Sequence, residues 1–167
     1  MSNSLKFENI ESNLVKLYGL LISNQNIAKY VYHLIDDPLS ISEHVPINLK
    51  DEGYYLLTVF DNSIPETEKV RIFLNPYSGN LRKIGIGEII YQMDIVVPNT
   101  KWVLNGMGQL RPFRIANEFN KMVDRKPVSG IGSVNVEGFK TFKVDDTYSG
   151  LSIFINTTAL TIKSGAL

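Results

Sequence analysis

Cysteine is absent from the 167-residue sequence, which excludes disulfide bonds and zinc sites with thiolate ligands. Long apolar runs are absent too. The densest apolar stretches, residues 17–22 and 54–60, fall well short of the roughly 18 residues of a membrane-spanning helix. The first residues show neither the charged segment nor the apolar stretch of a secretory signal. The sequence therefore predicts a protein that matures in a reducing cytoplasm, with no membrane contact.

Neither sign of charge is in excess, with 17 basic and 17 acidic residues. Domains that bind nucleic acid along an extended face usually carry a basic excess, because phosphate contacts supply most of their affinity. We therefore do not expect nucleic acid to be a principal ligand. A neutral chain also repels its own copies only weakly, which permits self-association without requiring it.

Clusters of side chains that could carry chemistry are scarce. The two histidines have no partner at ligand spacing: His33 falls near the end of a predicted helix and His44 in a loop. The adjacent aspartates at residues 36–37 and 145–146 stand where turns favour aspartate, with a weak cation site as the alternative. A serine nucleophile would have only these histidines as its base. The sequence predicts no catalytic residue, no metal site and no cofactor, and a protein that is not an enzyme.

Three glycine triplets of the form G-x-G occur, at residues 85–87, 106–108 and 130–132. The second precedes a predicted helix, as a dinucleotide-binding loop would. Arg111 occupies the position where such a loop needs its third glycine, and no βαβ unit surrounds it. We interpret the triplets as the ends of loops.

The N-terminal segment, residues 4–37, has helical periodicity, with apolar residues every three or four positions. They form two stripes: Leu14, Leu17, Tyr18 and Leu21, then Ile27, Tyr30, Val31, Leu34 and Ile35. Ser23 and Asn24 supply a stop signal and a new N-cap between them, so we predict two helices or one bent helix. Pro38 disfavours the helical conformation for Asp37 and should end the segment.

Strand patterns dominate the rest of the chain. The sequence predicts strands at residues 54–60, 69–74, 88–97, 132–145 and 151–162. A turn at residues 75–80 follows the second strand, and the fourth should be interrupted near Gly138. Between the third and fourth, residues 110–125 form an amphipathic helix with Pro112 in its first turn.

This order of elements predicts an α+β fold. Neighbouring strands joined by short turns pair antiparallel. We expect one domain over residues 1–167, with its sheet and helix core at residues 54–162. The sheet should have about five strands, with the N-terminal helices and the mid-chain helix packed on one face.

Two long loops, residues 75–87 and 98–108, combine glycine and proline with large apolar or basic side chains. Tryptophan, tyrosine and arginine are the residue types enriched at binding hot spots. Each loop either folds back onto the core or belongs to a binding surface. The candidate interface residues are Tyr77, Leu81, Arg82, Lys83, Trp102 and Met107.

The whole pattern resembles the tail terminator proteins of long-tailed bacteriophages, also called tail completion or head–tail joining proteins. The shared features are a leading helix like residues 5–35, a middle strand with the phrase YQMDIVV at residues 91–97, and an amphipathic helix like residues 111–125. A closing hairpin like residues 131–162, with an aspartate-rich turn, completes the likeness. The likeness is one of architecture and includes no diagnostic motif.

The resemblance implies a structural virion protein of the neck or tail that assembles in the host cytoplasm. It implies a closed ring of identical subunits, commonly a hexamer, that caps the tail tube and docks on the head connector. The expected partners are copies of the chain itself, the tail tube protein and the head connector or head-closure protein. DNA would be present only as cargo passing through the ring.

Two alternatives stay open. Residues 39–53 are longer, and residues 84–88 richer in glycine, than the tail terminator pattern. Another neck component, a head-closure or adaptor protein, would fit the same size and location. A different class is a small-ligand-binding or catalytic α+β domain with an unrecognised site. Residues 151–162 contain no charge, and at a sheet edge they would favour pairing between copies.

Overall fold

A computed structural model describes residues 7–45, 49, 51–58, 65, 67–80, 87–104, 108–124, 126–128 and 131–159. These residues form three α-helices: α1 (Phe7–Ser23), α2 (Gln25–Tyr32) and α3 (Arg111–Val123). The strands are β1 (Tyr55–Leu56), β2 (Arg71–Asn80), β3 (Gly87–Pro98), β4 (Val103–Leu104), β5 (Gln109–Leu110), β6 (Pro127–Val128), β7 (Gly132–Lys143) and β8 (Tyr148–Ala159). Short 3-10 helices lie at Pro38–Ser40 and Asn99–Lys101.

The main sheet has the strand order β1-β2-β3-β8-β7-β6. Four long antiparallel strands make its body, and two-residue strands extend it on either side. β1 pairs parallel with β2, while β4 and β5 form a separate small sheet. The predicted α+β class is confirmed; the described sheet has six strands instead of about five, and one of its pairings is parallel.

The helices cover one face of this sheet, as predicted. Alternate residues of the long strands, such as Ile72, Met93 and Ile153, point towards the helices because side chains alternate along a strand. They pack against buried residues of the helices, including Leu17 and Phe119. Each such aliphatic or aromatic side chain contributes roughly 1.5–3 kcal/mol when fully buried. This shared core fixes the positions of the helices on the sheet.

The break between the first two helices lies where the sequence placed it. The side-chain oxygen of Asn24 accepts a hydrogen bond from the backbone N–H of Ile27 at 3.0 Å, which caps α2. The end of α2 was predicted wrongly. The helix stops at Tyr32, and Ile35, assigned to its apolar stripe, is 47% exposed. The carbonyls of His33 and Ile35 instead accept hydrogen bonds from another element, described below.

Residues 75–80 do not form the predicted turn; they continue β2. Asn75 lies opposite Gln92, and a bulge between Pro76 and Ser78 shifts the register before Asn80 meets Glu88. At this point none of the described strands pairs with the outer side of β2. Proline is tolerated on such an edge, because the N–H that it lacks would have pointed outwards and would have made no hydrogen bond within the sheet. Pairing with the long β3 thus overrides the local turn composition.

Other strand predictions need correction as well. The strand predicted at residues 54–60 is reduced to β1, and residues 59–60 lie outside the described residues. Of the uncharged residues 151–162, residues 151–159 do not form an edge, because β8 lies between β3 and β7, and residues 160–162 lie outside the described residues. The interruption predicted near Gly138 is confirmed as a bulge in β7.

Candidate functional site

The predicted interface residues separate into three groups. Tyr77 is 60% exposed on β2, with its ring centroid 5.3 Å from that of Phe154. Trp102 is half-buried and packs against the main core, so it folds back instead of standing free. The remaining four, Leu81, Arg82, Lys83 and Met107, lie outside the described residues.

The outer side of β7 is a long sheet edge. β6 pairs only with Gly132 and Ser133, and Asp124 bridges to Val134. From residue 135 to residue 143, no strand within the described part of the chain pairs with this edge. Unpaired backbone N–H and C=O groups can bind another chain. Together with residues 74–80 of β2, the described sheet therefore has an unpaired edge on each side.

An apolar groove runs between α3 and β7, on the helix side of that edge. Phe139 is 65% exposed, and its ring meets that of Phe113 edge-on with centroids 5.6 Å apart. The groove has a volume of about 390 Å³ and is also lined by Ala116 and Val136. We name this surface the α3–β7 groove. A large exposed aromatic side chain such as Phe139 beside an open edge is typical of a protein-binding surface.

A second groove continues from the first at the start of α3. It has a volume of about 740 Å³ and shares Phe113 with the α3–β7 groove, adding Trp102, Val103 and Leu110. Sequence reasoning found Trp102 but missed Phe113 and Phe139. Alternation along β7 predicts that Phe139 points to the helix side, but only the packing shows that no described helix covers it.

Arg111 holds the loop before α3 against the end of α2. Its guanidinium is fully buried and donates to the carbonyls of Lys101 at 3.0 Å, Tyr30 at 2.8 Å, His33 at 2.9 Å and Ile35 at 2.6 Å. Burial lowers the pKa of Arg111, and the charge of Asp36 partly offsets this. These bonds position Trp102 and the start of α3, and so shape both grooves.

The opposite face of the sheet carries a polar groove of about 590 Å³. At its centre Asp94 is buried, with Oδ1 accepting from Ser152 Oγ at 2.5 Å and from Gln92 Nε2 at 2.8 Å. Within the described part of the chain these neutral donors are its only hydrogen-bond partners and no ion pair reaches it. Tyr77 and Lys140 stand at the rim. A carboxylate in such a groove can accept further hydrogen bonds from a bound molecule.

The other candidates lie at structural positions. His33 caps the end of α2 with its ring 5.0 Å from that of Tyr32, and His44 is exposed. Asp145 Oδ1 accepts from the backbone N–H groups of Thr147 and Tyr148 at 2.6 and 2.7 Å, the turn role that the sequence predicted. The described residues contain no group of three side chains that could hold a metal ion.

The sequence matches a known protein family. The sequence profile of the YomW family matches residues 22–157, from the end of α1 to near the end of β8. The chain belongs to the YomW family. The family name is typical of phage-encoded proteins, which makes the chain phage-associated. No curated protein matches it.

The YomW match includes every part of the two apolar grooves. It covers α2, the loop anchored by Arg111, α3 and most of the β7–β8 hairpin, and it leaves out most of α1. Among the described helices of this YomW protein, none is long and apolar enough to cross a membrane.

Proposed function

We propose that this YomW protein is a structural component of a phage neck or tail, and specifically the tail terminator. Its copies form a closed ring, sixfold by resemblance to that class, which caps the tail tube and docks on the head connector or head-closure protein. DNA passes through the ring as cargo. The work of the protein is then to bind its own copies and its two neighbours.

The observation that carries the proposal is the β7 edge with the exposed Phe139 beside it. The exposed ring of Phe139 is costly to leave in water, and a partner chain that covers it would recover roughly 25 cal/mol for each Å² of apolar surface removed from water. The described edge of β7 offers main-chain hydrogen bonds to the same partner. Both features support a role in binding protein chains.

The sheet also supports head-to-tail association between copies. Its unpaired stretches lie on opposite sides, on β2 and β7, so two copies that join through unlike edges leave one edge free on each. Such head-to-tail contacts close into a ring when the rotation between subunits is suitable. The proline and bulge in β2 weaken direct edge pairing there, so side-chain contacts must contribute to the interface.

The proposal is tested by the structure of the particle assembled in the host. We expect several copies in a ring at the end of the tail tube, with each contact burying at least about 1,000 Å² in total. A single copy, or copies that touch through negligible area, would contradict it. A ring on the connector side without contact to the tail tube would identify a head-closure or adaptor protein instead.

A small-ligand function is the second candidate, and the Asp94 groove favours it. If ligand binding is the role, Asp94→Asn should abolish function while the variant still folds and still enters the particle. If assembly is the role, the same variant should assemble and function within a few-fold of the wild type. Particle yield and infectivity, measured beside the stability of the purified variant, separate the two.

A further inference from the structure

The polar groove on the sheet face away from the helices contains one acidic and one basic side chain. Among the described residues, Asp94 on β3 and Lys140 on β7 are the charged groups that line it. Asp94 lies opposite Ser152 of β8, and Ser152 lies opposite Lys140. Because neighbouring strands lie about 4.8 Å apart, the two charged residues are separated by roughly 10 Å along this row of the sheet. The two charges therefore face one groove from either side of Ser152.

Asp94 has no partner of opposite charge within the described part of the chain. It is 2% exposed, and its hydrogen bonds come from neutral donors, Ser152 Oγ at 2.5 Å and Gln92 Nε2 at 2.8 and 3.0 Å. Buried carboxylates are normally paired with a cation, because removing their charge from water is costly. Oδ2 accepts only one of these three bonds, whereas a carboxylate oxygen can accept two. The floor of the groove therefore offers an acceptor to a charged donor.

The side-chain amide of Asn75 on β2 is a second polar group of this groove that lacks a partner. Asn75 is 7% exposed and lines the groove, but its amide makes no hydrogen bond to any residue that the structure describes. Burying such a group without a partner costs free energy. Asn75 lies opposite Gln92, so Asp94 is its diagonal neighbour, roughly 7–8 Å away on the same face. A molecule bound at Asp94 therefore also reaches this amide.

Aromatic side chains form the walls of the groove. Phe142 and Phe154 line it, and the exposed ring of Tyr77 lies with its centroid 5.3 Å from that of Phe154. The face of an aromatic ring attracts a cation, and its apolar surface also covers an aliphatic chain. The volume of about 590 Å³ lies within the range of small-molecule sites, about 300–1,000 Å³. The groove thus combines apolar walls with a few polar groups, as such sites do.

We propose that the Asp94 groove binds a small zwitterion of the amino-acid class. The ammonium group of the ligand donates to Asp94 and lies against the aromatic walls, its short aliphatic stem crosses Ser152, and its carboxylate accepts from Lys140. A simple cation would leave the charge of Lys140 unbalanced, and a simple anion would leave that of Asp94 unbalanced. The site names the ligand class for the second candidate function, and it is independent of the proposed ring.

Three matched small molecules test this charge pattern. 4-Aminobutyrate carries both charges on a short stem, butylamine only the positive charge and butyrate only the negative charge. Each is titrated into the full-length purified protein, and binding is followed by the backbone amide NMR signals of Asp94, Ser152 and Lys140. 4-Aminobutyrate should give saturable shifts there. Butylamine should bind roughly two- to fivefold more weakly, because it loses only an exposed ion pair. Butyrate should bind at least roughly tenfold more weakly, because it offers Asp94 no donor.

Substitutions separate the contributions of the two charges. Asp94→Asn keeps the size of the side chain and should weaken the binding of 4-aminobutyrate and of butylamine at least roughly tenfold. Lys140→Met should abolish the preference for 4-aminobutyrate over butylamine. Lys143→Met is the matched control, because Lys143 is exposed on the same strand but lines the groove on the helix side, and it should change neither affinity. Both lysines are exposed, so these two variants test the site even if Asp94→Asn fails to fold.

The outcomes for the ligand site and for the ring are separate. If 4-aminobutyrate gave no saturable shift in the folded wild-type protein up to about 10 mM, the site would be overturned. Undiminished binding by a folded Asp94→Asn variant would overturn it too, by placing the ligand elsewhere. Equal affinities for 4-aminobutyrate and butylamine would overturn the assignment of a zwitterion. None of these results changes the number of copies in the assembled particle, which alone tests the ring.

Discussion

Nη1 of Arg111 donates a hydrogen bond to the carbonyl oxygen of Tyr30 at 2.8 Å, across the contact between α3 and α2. Tyr30 lies in the last turn of α2, where unpaired carbonyls attract positive charge. Three further carbonyls complete the environment of the guanidinium. Within the described part of the chain, the hydrogen bonds of this buried guanidinium all go to carbonyl oxygens, so the stability of the buried charge depends on the four bonds together.

Replacing Arg111 should therefore be among the most damaging single changes. Arg111→Met keeps the volume but leaves four carbonyls without their donor, and we expect a loss of about 3 kcal/mol in the free energy of unfolding. Urea denaturation measures it. Arg114→Met, three residues along the same helix and half-buried, should cost less than about 1 kcal/mol. If Arg111→Met and Arg114→Met lowered the free energy of unfolding equally, the hydrogen bonds of Arg111 would not be the cause of its contribution to stability.

Gly150 on β8 lies directly opposite Phe142 on β7, and the aromatic ring covers it. A Cβ at position 150 would overlap that ring, so Gly150→Ala should cost about 1–3 kcal/mol of unfolding free energy through overpacking. In a Phe142→Ala background the same change should cost much less. The coupling in this double-mutant cycle is the measurement. If the costs of Gly150→Ala and Phe142→Ala were purely additive, overlap with the ring of Phe142 would not be the cause of the destabilisation.

Glu118 makes stability depend on pH. Desolvation raises its pKa, but hydrogen bonds from Lys121 and Asn26 and the charges of Lys121 and Arg114 outweigh this and hold the pKa below its ordinary value. A carboxylate with a lowered folded-state pKa stabilises the protein above its unfolded pKa, about 4.3. That contribution is lost as the pH falls through the folded-state value. Glu118→Gln should flatten the fall in unfolding free energy below about pH 4.3; an unchanged acid profile would refute this.

Neither histidine should be required for function. His33 contributes its backbone to the end of α2 and His44 is exposed. Replacing both with glutamine should leave particle assembly within a few-fold of the wild type. Assembly is measured by particle yield in a complementation experiment. A variant that folds normally but fails to support assembly would show that one of them has a chemical role.

The features that the sequence predicted well depend on residues close together in the chain. Asn24 caps the helix that begins next to it, and Pro112 lies in the first turn of α3. The bulge beside Gly138 is another local effect. Only Tyr77 of the predicted interface residues is both described and freely exposed, because exposure depends on what packs nearby in space.

Periodicity and capping residues thus determined the α+β class, the three helices and most of the strands of this protein, since they act within one or two turns of chain. The tertiary structure alone decided that β2 runs on through residues 75–80, that β8 is central, and that α2 stops at Tyr32. The tertiary structure alone also produced the groove beside Phe139. Each depends on contacts between residues far apart in sequence, such as Arg111 with Tyr30, whose pairing no local pattern encodes.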